Sequence, residues 1–93
     1  MVLRFLVKGR VQGVGFRWFV YREAEKLDLR GWVRNTWEGE VEIVAAGSEA
    51  DLSKLRSSLR SGPRGSRVDR LDEFQLDESE AKNLEAFRIE GAW

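Results

Sequence analysis

Between Gly9 and Arg17 the chain reads GRVQGVGFR, with three glycines in the seven residues before Phe16. A helical period starts at Phe16, yet no Ser, Thr, Asp or Asn precedes it to cap the first turn. The first amides of a helix have no intrahelical acceptor and need another partner. Glycines just ahead of them let the backbone curl into a nest of converging N–H groups. An anion answers both those donors and the helix dipole. Arg17 adds a second anomaly, since a cation in the first turn opposes the dipole by about 0.3–1 kcal/mol. An anion held between the amides and the guanidinium turns that conflict into a gain, because Arg–phosphate hydrogen bonds are bidentate and charge-assisted. The plainer alternative is a glycine-rich turn with Arg17 extended into water. The segment has neither the GK[ST] ending of a nucleotide loop nor G-x-G-x-x-G spacing.

A second candidate is Arg34-Asn35-Thr36, at the end of a β-prone run from Gly31 to Thr36. An Asn this late in a strand goes against propensity. Taken alone, it reads as a turn former opening the Trp37–Gly39 loop. Its carboxamide also donates and accepts hydrogen bonds at once, which suits it to holding a water.

The composition narrows the chemistry further. Among 93 residues there is no cysteine and no histidine. Disulfides, thiol nucleophiles, Cys/His zinc sites and every His-dependent triad are thereby excluded. An enzyme of this composition works by positioning and electrostatics, or through a carboxylate or lysine of displaced pKa. Net charge is zero but unevenly spread: residues 1–35 hold eight Lys/Arg against three acids, and the remainder eight against thirteen. Either the first half meets an anion or two solvated faces offset each other. The run Val14–Val20 faintly echoes an RNA-recognition signature, but that signature lies on a strand and here the helical period has begun. Zero net charge and an acidic second half also argue against a nucleic-acid partner. No run of about 18 apolar residues offers a membrane span. The start MVLRFLVKGR is too short in apolar residues for a signal peptide and is broken by Arg4, so a cytoplasmic location is expected.

The length fits one domain over residues 1–93, expected to be a monomer. Val2 to Lys8 alternates like a strand, with Leu3, Phe5 and Val7 on one side. Gly9–Gly15 reads as a loop. Phe16, Phe19, Val20, Ala24 and Leu27 form a helical stripe, with Gly31 as its expected C-cap. Trp32–Thr36 and Glu40–Ala46 are β-rich runs joined by a Trp37-Glu38-Gly39 turn. Ser48 to Asp51 resembles a capping box for a helix bearing Leu52, Leu55 and Leu59, stopped by Ser61-Gly62-Pro63. Strands are expected at Arg67–Leu76 and, briefly, Phe87–Glu90. The order predicts an α+β, ferredoxin-like βαββαβ sandwich: an antiparallel sheet with two helices on one face and a short extra C-terminal strand.

GRVQGVGFR, with GWVRNTWEGEVEIVAAG about fifteen residues later, closely resembles the acylphosphatases. The resemblance covers roughly Val2 to Glu90, including SGPRGSRVD and FRIEG. It implies hydrolysis of the carboxyl–phosphate bond of acyl phosphates with no metal and no organic cofactor. The partner it implies is a small-molecule acyl phosphate, with inorganic phosphate or sulfate as product or inhibitor. The family's phosphate-binding loop maps onto Arg10, Val11, Gln12, Gly13, Val14, Gly15 and Phe16, acting through backbone amides. Its catalytic arginine maps onto Arg17 and its catalytic asparagine onto Asn35, with Thr36 as a supporting residue. Two departures stand out. Gly15 occupies a position where other members can carry a larger residue, and the chain ends Gly91-Ala92-Trp93, an edge where Trp93 is expected to affect packing.

Overall fold

Alternation in the first strand sorts its side chains onto the two faces of a sheet, and every neighbouring element follows from that sorting. A computed structural model describes residues 1–91. They form β1 (Val2–Arg10), α1 (Phe16–Lys26), β2 (Arg30–Asn35), β3 (Val41–Ala46), α2 (Glu49–Ser61), β4 (Arg67–Leu76) and β5 (Arg88–Ile89), with a 3₁₀ turn at Glu78–Asn83 before β5. The sheet order is β4-β1-β3-β2-β5. The first four strands pair antiparallel, which gives the expected ferredoxin-like arrangement.

One face of the sheet carries Leu3, Phe5, Val7, Val33, Val41, Ile43 and Ala45 into a single core with Phe16, Val20 and Ala24 of α1 and Leu52, Leu55 and Leu59 of α2. Each large apolar side chain buried there contributes about 1.5–3 kcal/mol against an exposed reference. The opposite face holds a smaller cluster of Val2, Val44, Ala46 and Leu84. The stretch from the 3₁₀ turn to Leu84 packs over it, so β3 is buried on both sides. Ser48 caps α2 as expected, its hydroxyl accepting from the Asp51 amide at 3.1 Å, and Gly62 closes the helix.

Three expectations need correction. β5 lies parallel to β2, with Trp32 opposite Arg88 and Val33 opposite Ile89, so the sheet is mixed and not wholly antiparallel. Gly9 and Arg10 are not loop: β1 continues through an irregularity at Lys8/Gly9 to pair them with Val68 and Arg67 of β4. Gly31 does not cap α1. That helix ends at Leu27, with Asp28 in the left-handed region at φ 55, while Gly31 sits inside β2. Its φ of 144 and a crossing so tight that a Cβ would strike the Val44 carbonyl explain why glycine is there. Trp93, expected to influence the C-terminal edge, lies outside the described residues.

Candidate active site

The segment joining β1 to α1 is pinned by its apolar residues and bent by its glycines. Val11 and Phe16 are buried at either end, and Val14 packs against the core between them. Gly13 and Gly15 alternate with these anchors, at φ 75 and 76, in the left-handed conformation that side chains resist. A Cβ added at either glycine would meet nothing within 4 Å, so open volume borders the loop at both points. Gly15 stands at the N-cap of α1, and no side chain caps the helix. The Phe19 amide reaches the Gly15 carbonyl at 3.0 Å. The amides of Phe16, Arg17 and Trp18 therefore precede that intrahelical bond, where a helix presents its positive end.

Asn35 is the last residue of β2, opposite Val41. The two-residue period of the strand puts it on the same face as buried Val33, toward α1. Its Oδ1 is shielded from solvent. The turn beyond it is closed by the Thr36 amide on the Glu40 carbonyl at 2.9 Å, and by the Glu40 amide on the Thr36 hydroxyl at 3.1 Å. Gln12 ties the loop to this hairpin. Its Nε2 donates to the Thr36 carbonyl at 2.9 Å and to the Glu40 carbonyl at 2.8 Å. Loop and strand end are thus set against each other by one carboxamide.

Together these elements enclose a cavity of about 270 Å³. Of the residues expected from the sequence, it gathers Val11, Gly13, Gly15, Phe16, Arg17 and Asn35. Four others do not line it. Arg10 belongs to the end of β1, Gln12 reaches the hairpin, Val14 faces the core, and Thr36 borders a neighbouring cavity of about 450 Å³. Three lining residues were not anticipated: Trp18, Ile89 and Gly91. Trp18 carried a signal, since a large aromatic in the first helical turn falls off the apolar stripe that starts at Phe16. Ile89 and Gly91 depend on where β5 docks, which spacing along the chain does not reveal.

Among the described residues, no Asp or Glu lines this cavity. Arg17 makes no ion pair or hydrogen bond among the described residues, so its charge adds to that of the helix start. The sheet's other face is arranged differently. There Glu42, almost wholly buried, takes Arg4 Nε at 2.6 Å and Arg34 Nε at 2.7 Å. The two guanidinia lie over Phe74 and Trp32, 5.4 and 4.9 Å from the ring centroids. Burial pushes the Glu42 carboxyl up, but the hydrogen bonds from Arg4 and Arg34 outweigh it and hold the group below its usual range.

A cavity with a guanidinium, a carboxamide, helix-start amides and no acid among its described residues suits a small anion. The acylphosphatase family model matches residues 3–89. An acylphosphatase of Koribacter versatilis is 52% identical over 90 residues, spanning 97% of this chain and 80% of the relative. One from Moorella thermoacetica is 46% identical over 85 residues, spanning 91% and 88%. The crystal structure of acylphosphatase from Bacillus subtilis superposes with a TM-score of 0.86 at 39% identity, over 98% of this chain and all of that one. The chain belongs to the acylphosphatase family.

Proposed function

We propose that residues 1–93 act as one domain that hydrolyses acyl phosphates, with Arg17 and the loop amides gripping the phosphoryl group and Asn35 positioning the water. The carrying observation is that Arg17 and Asn35, from separate elements, border one cavity with Gly13 and Gly15 and no acid among them. The phosphoryl oxygens lie against the amides between Val11 and Arg17 and against the guanidinium. Water held by Asn35 attacks phosphorus in line with the leaving acyl oxygen. The phosphorus–oxygen bond to the acyl group breaks, the carboxylate departs, and the water's proton passes to a phosphoryl oxygen. A carboxylate leaves readily, and a loose transition state asks mainly for charge stabilisation, so no histidine or strong base is required.

The substrate is a small molecule, and inorganic phosphate, or sulfate in its place, competes for the same nest. The domain works as a cytoplasmic monomer without metal or organic cofactor and engages neither nucleic acid nor membrane. Among the described residues, no helix is long and apolar enough to cross a bilayer.

The test is an assay with benzoyl phosphate in excess EDTA, beside Arg17→Gln and Asn35→Ala. Full wild-type turnover with chelator and loss in both variants supports the reading. Turnover that needs added metal, or that survives both substitutions, overturns it.

A further inference from the structure

Helical side chains lean toward the start of their helix, so a residue just inside the first turn overhangs that turn. Trp18 holds this position on α1 and lines the same cavity as Arg17 and Asn35. It belongs to neither apolar cluster of the protein and is 55% exposed. It is nevertheless braced. Its indole stacks on Tyr21 with centroids 5.3 Å apart and planes 14° from parallel, and the Tyr21 hydroxyl donates to Glu25 at 2.8 Å. An exposed aromatic held this way is already ordered before a ligand arrives, which lowers the entropy lost on contact.

The cavity has two chemical ends. Amides and the guanidinium suit the phosphoryl group, whereas Trp18 and Ile89 present apolar wall. A phosphoryl group alone makes no use of that wall. In an acyl phosphate the acyl group is attached directly to it, and an aromatic acyl group can stack on an indole. We infer that Trp18 is a specificity-determining residue, a braced indole at the mouth of the Arg17–Asn35 cavity that receives the acyl group and favours aromatic acyl phosphates over small aliphatic ones. This rests on acyl-phosphate hydrolysis at that cavity.

The experiment compares kcat/KM for benzoyl phosphate and acetyl phosphate in wild type, Trp18→Ala, Trp18→Leu and Trp18→Phe, with inhibition by inorganic phosphate measured in each. Trp18 is exposed, so the variants are expected to fold, and circular dichroism checks this. The benzoyl-to-acetyl ratio should fall roughly three- to tenfold in Trp18→Ala and Trp18→Leu, the range of an aromatic contact. Trp18→Phe should restore most of it, and phosphate inhibition should stay within about twofold throughout, since the amide end is untouched. An unchanged ratio in folded variants, with wild type active on both substrates, overturns the role of Trp18 and leaves the hydrolase reading intact. Loss of phosphate inhibition together with both activities also overturns it, because Trp18 would then be acting through the helix start. Inactivity of the wild type on both substrates overturns the hydrolase reading and this inference with it.

Discussion

Asn35 borders two cavities whose arginines meet opposite fates. On the open face, Arg4 and Arg34 are both drawn onto Glu42, and each lies over an aromatic ring. On the helix side, Arg17 has no acid within reach of an ion pair among the described residues. The first arrangement uses its charges to fix strand neighbours: Arg34 faces Glu42 across β2 and β3, and β1 brings Arg4 from the other side. The second keeps a charge in reserve, at the helix end where a cation is least welcome. The paired arginines serve the fold, whereas Arg17 at the helix start is the one on which the proposed hydrolysis depends. The uneven charge of the two halves resolves the same way. Lys8 meets Glu40 and Asp72, Arg4 and Arg34 meet Glu42, and Arg17 stays out of the exchange.

The largest expected effect comes from breaking the unpaired side. Arg17→Gln should lower kcat/KM by at least the 10²–10³ typical of one lost preorganised donor and should abolish inhibition by phosphate. Its stability should rise, because a cation opposing the dipole by about 0.3–1 kcal/mol is gone. At about 4–8 °C per kcal/mol, a melting scan without phosphate should show Tm up by a few degrees. A drop in Tm would mean that Arg17 is a structural arginine after all, like Arg4 and Arg34. Asn35→Ala comes next. Turnover should fall on the order of 10², while phosphate still raises Tm of the variant as it does wild type. Equal loss of phosphate binding would make Asn35 part of the anion grip instead of the water's holder.

How much of this contrast was legible in the sequence depends on range. The uncapped start of α1 and the anomalous Arg17 could be read because capping and dipole effects act within one turn. Leu3, Phe5, Val7, Leu52, Leu55 and Leu59 were legible as core because their spacing matches strand and helix periods, and all are buried. Gly31 misled because glycine after a helix usually caps it. Its real constraint is a close crossing with Val44 of β3, an approach that the residues around Gly31 do not specify. Gln12 was credited only with its backbone amide. Its side chain finds carbonyls at Thr36 and Glu40, contacts that exist only once the hairpin docks beside the loop. Glu42 was unremarkable within GEVEIV, and its two arginines converge on it only through sheet register.

Gln12 sharpens the comparison from the middle, since it joins the loop between β1 and α1 to the hairpin next to Asn35. Gln12→Ala removes two hydrogen bonds from one amide, each worth about 1 kcal/mol net. Some stability should be lost, and KM for benzoyl phosphate should rise several-fold as the loop and Asn35 lose their fixed separation. A KM unchanged from wild type would show that buried Val11 and Phe16 alone hold the loop in place.

The smallest effect on turnover is expected on the paired side, where Glu42→Gln should leave kcat and KM alone and act only on stability. Removing the acid leaves Arg4 and Arg34 facing a neutral amide, although their partial exposure softens the loss to about 1–2 kcal/mol at pH 7. The pH dependence follows from the Glu42 carboxyl, held below its usual 4.5 in the folded protein. A group whose pKa is lowered by folding gives its full stabilisation above the unfolded-state value and loses it as pH falls through the folded-state value. The Tm gap between wild type and Glu42→Gln should therefore be widest near pH 7, narrow below about pH 4.5, and close once Glu42 is protonated in both states. The glutamine variant has no proton to take up at this position, so the convergence comes from the wild type alone. A gap that held constant down to pH 3 would assign the loss to packing around residue 42. The two arginines over Phe74 and Trp32 would then be held by their rings, and charge pairing would no longer separate them from Arg17.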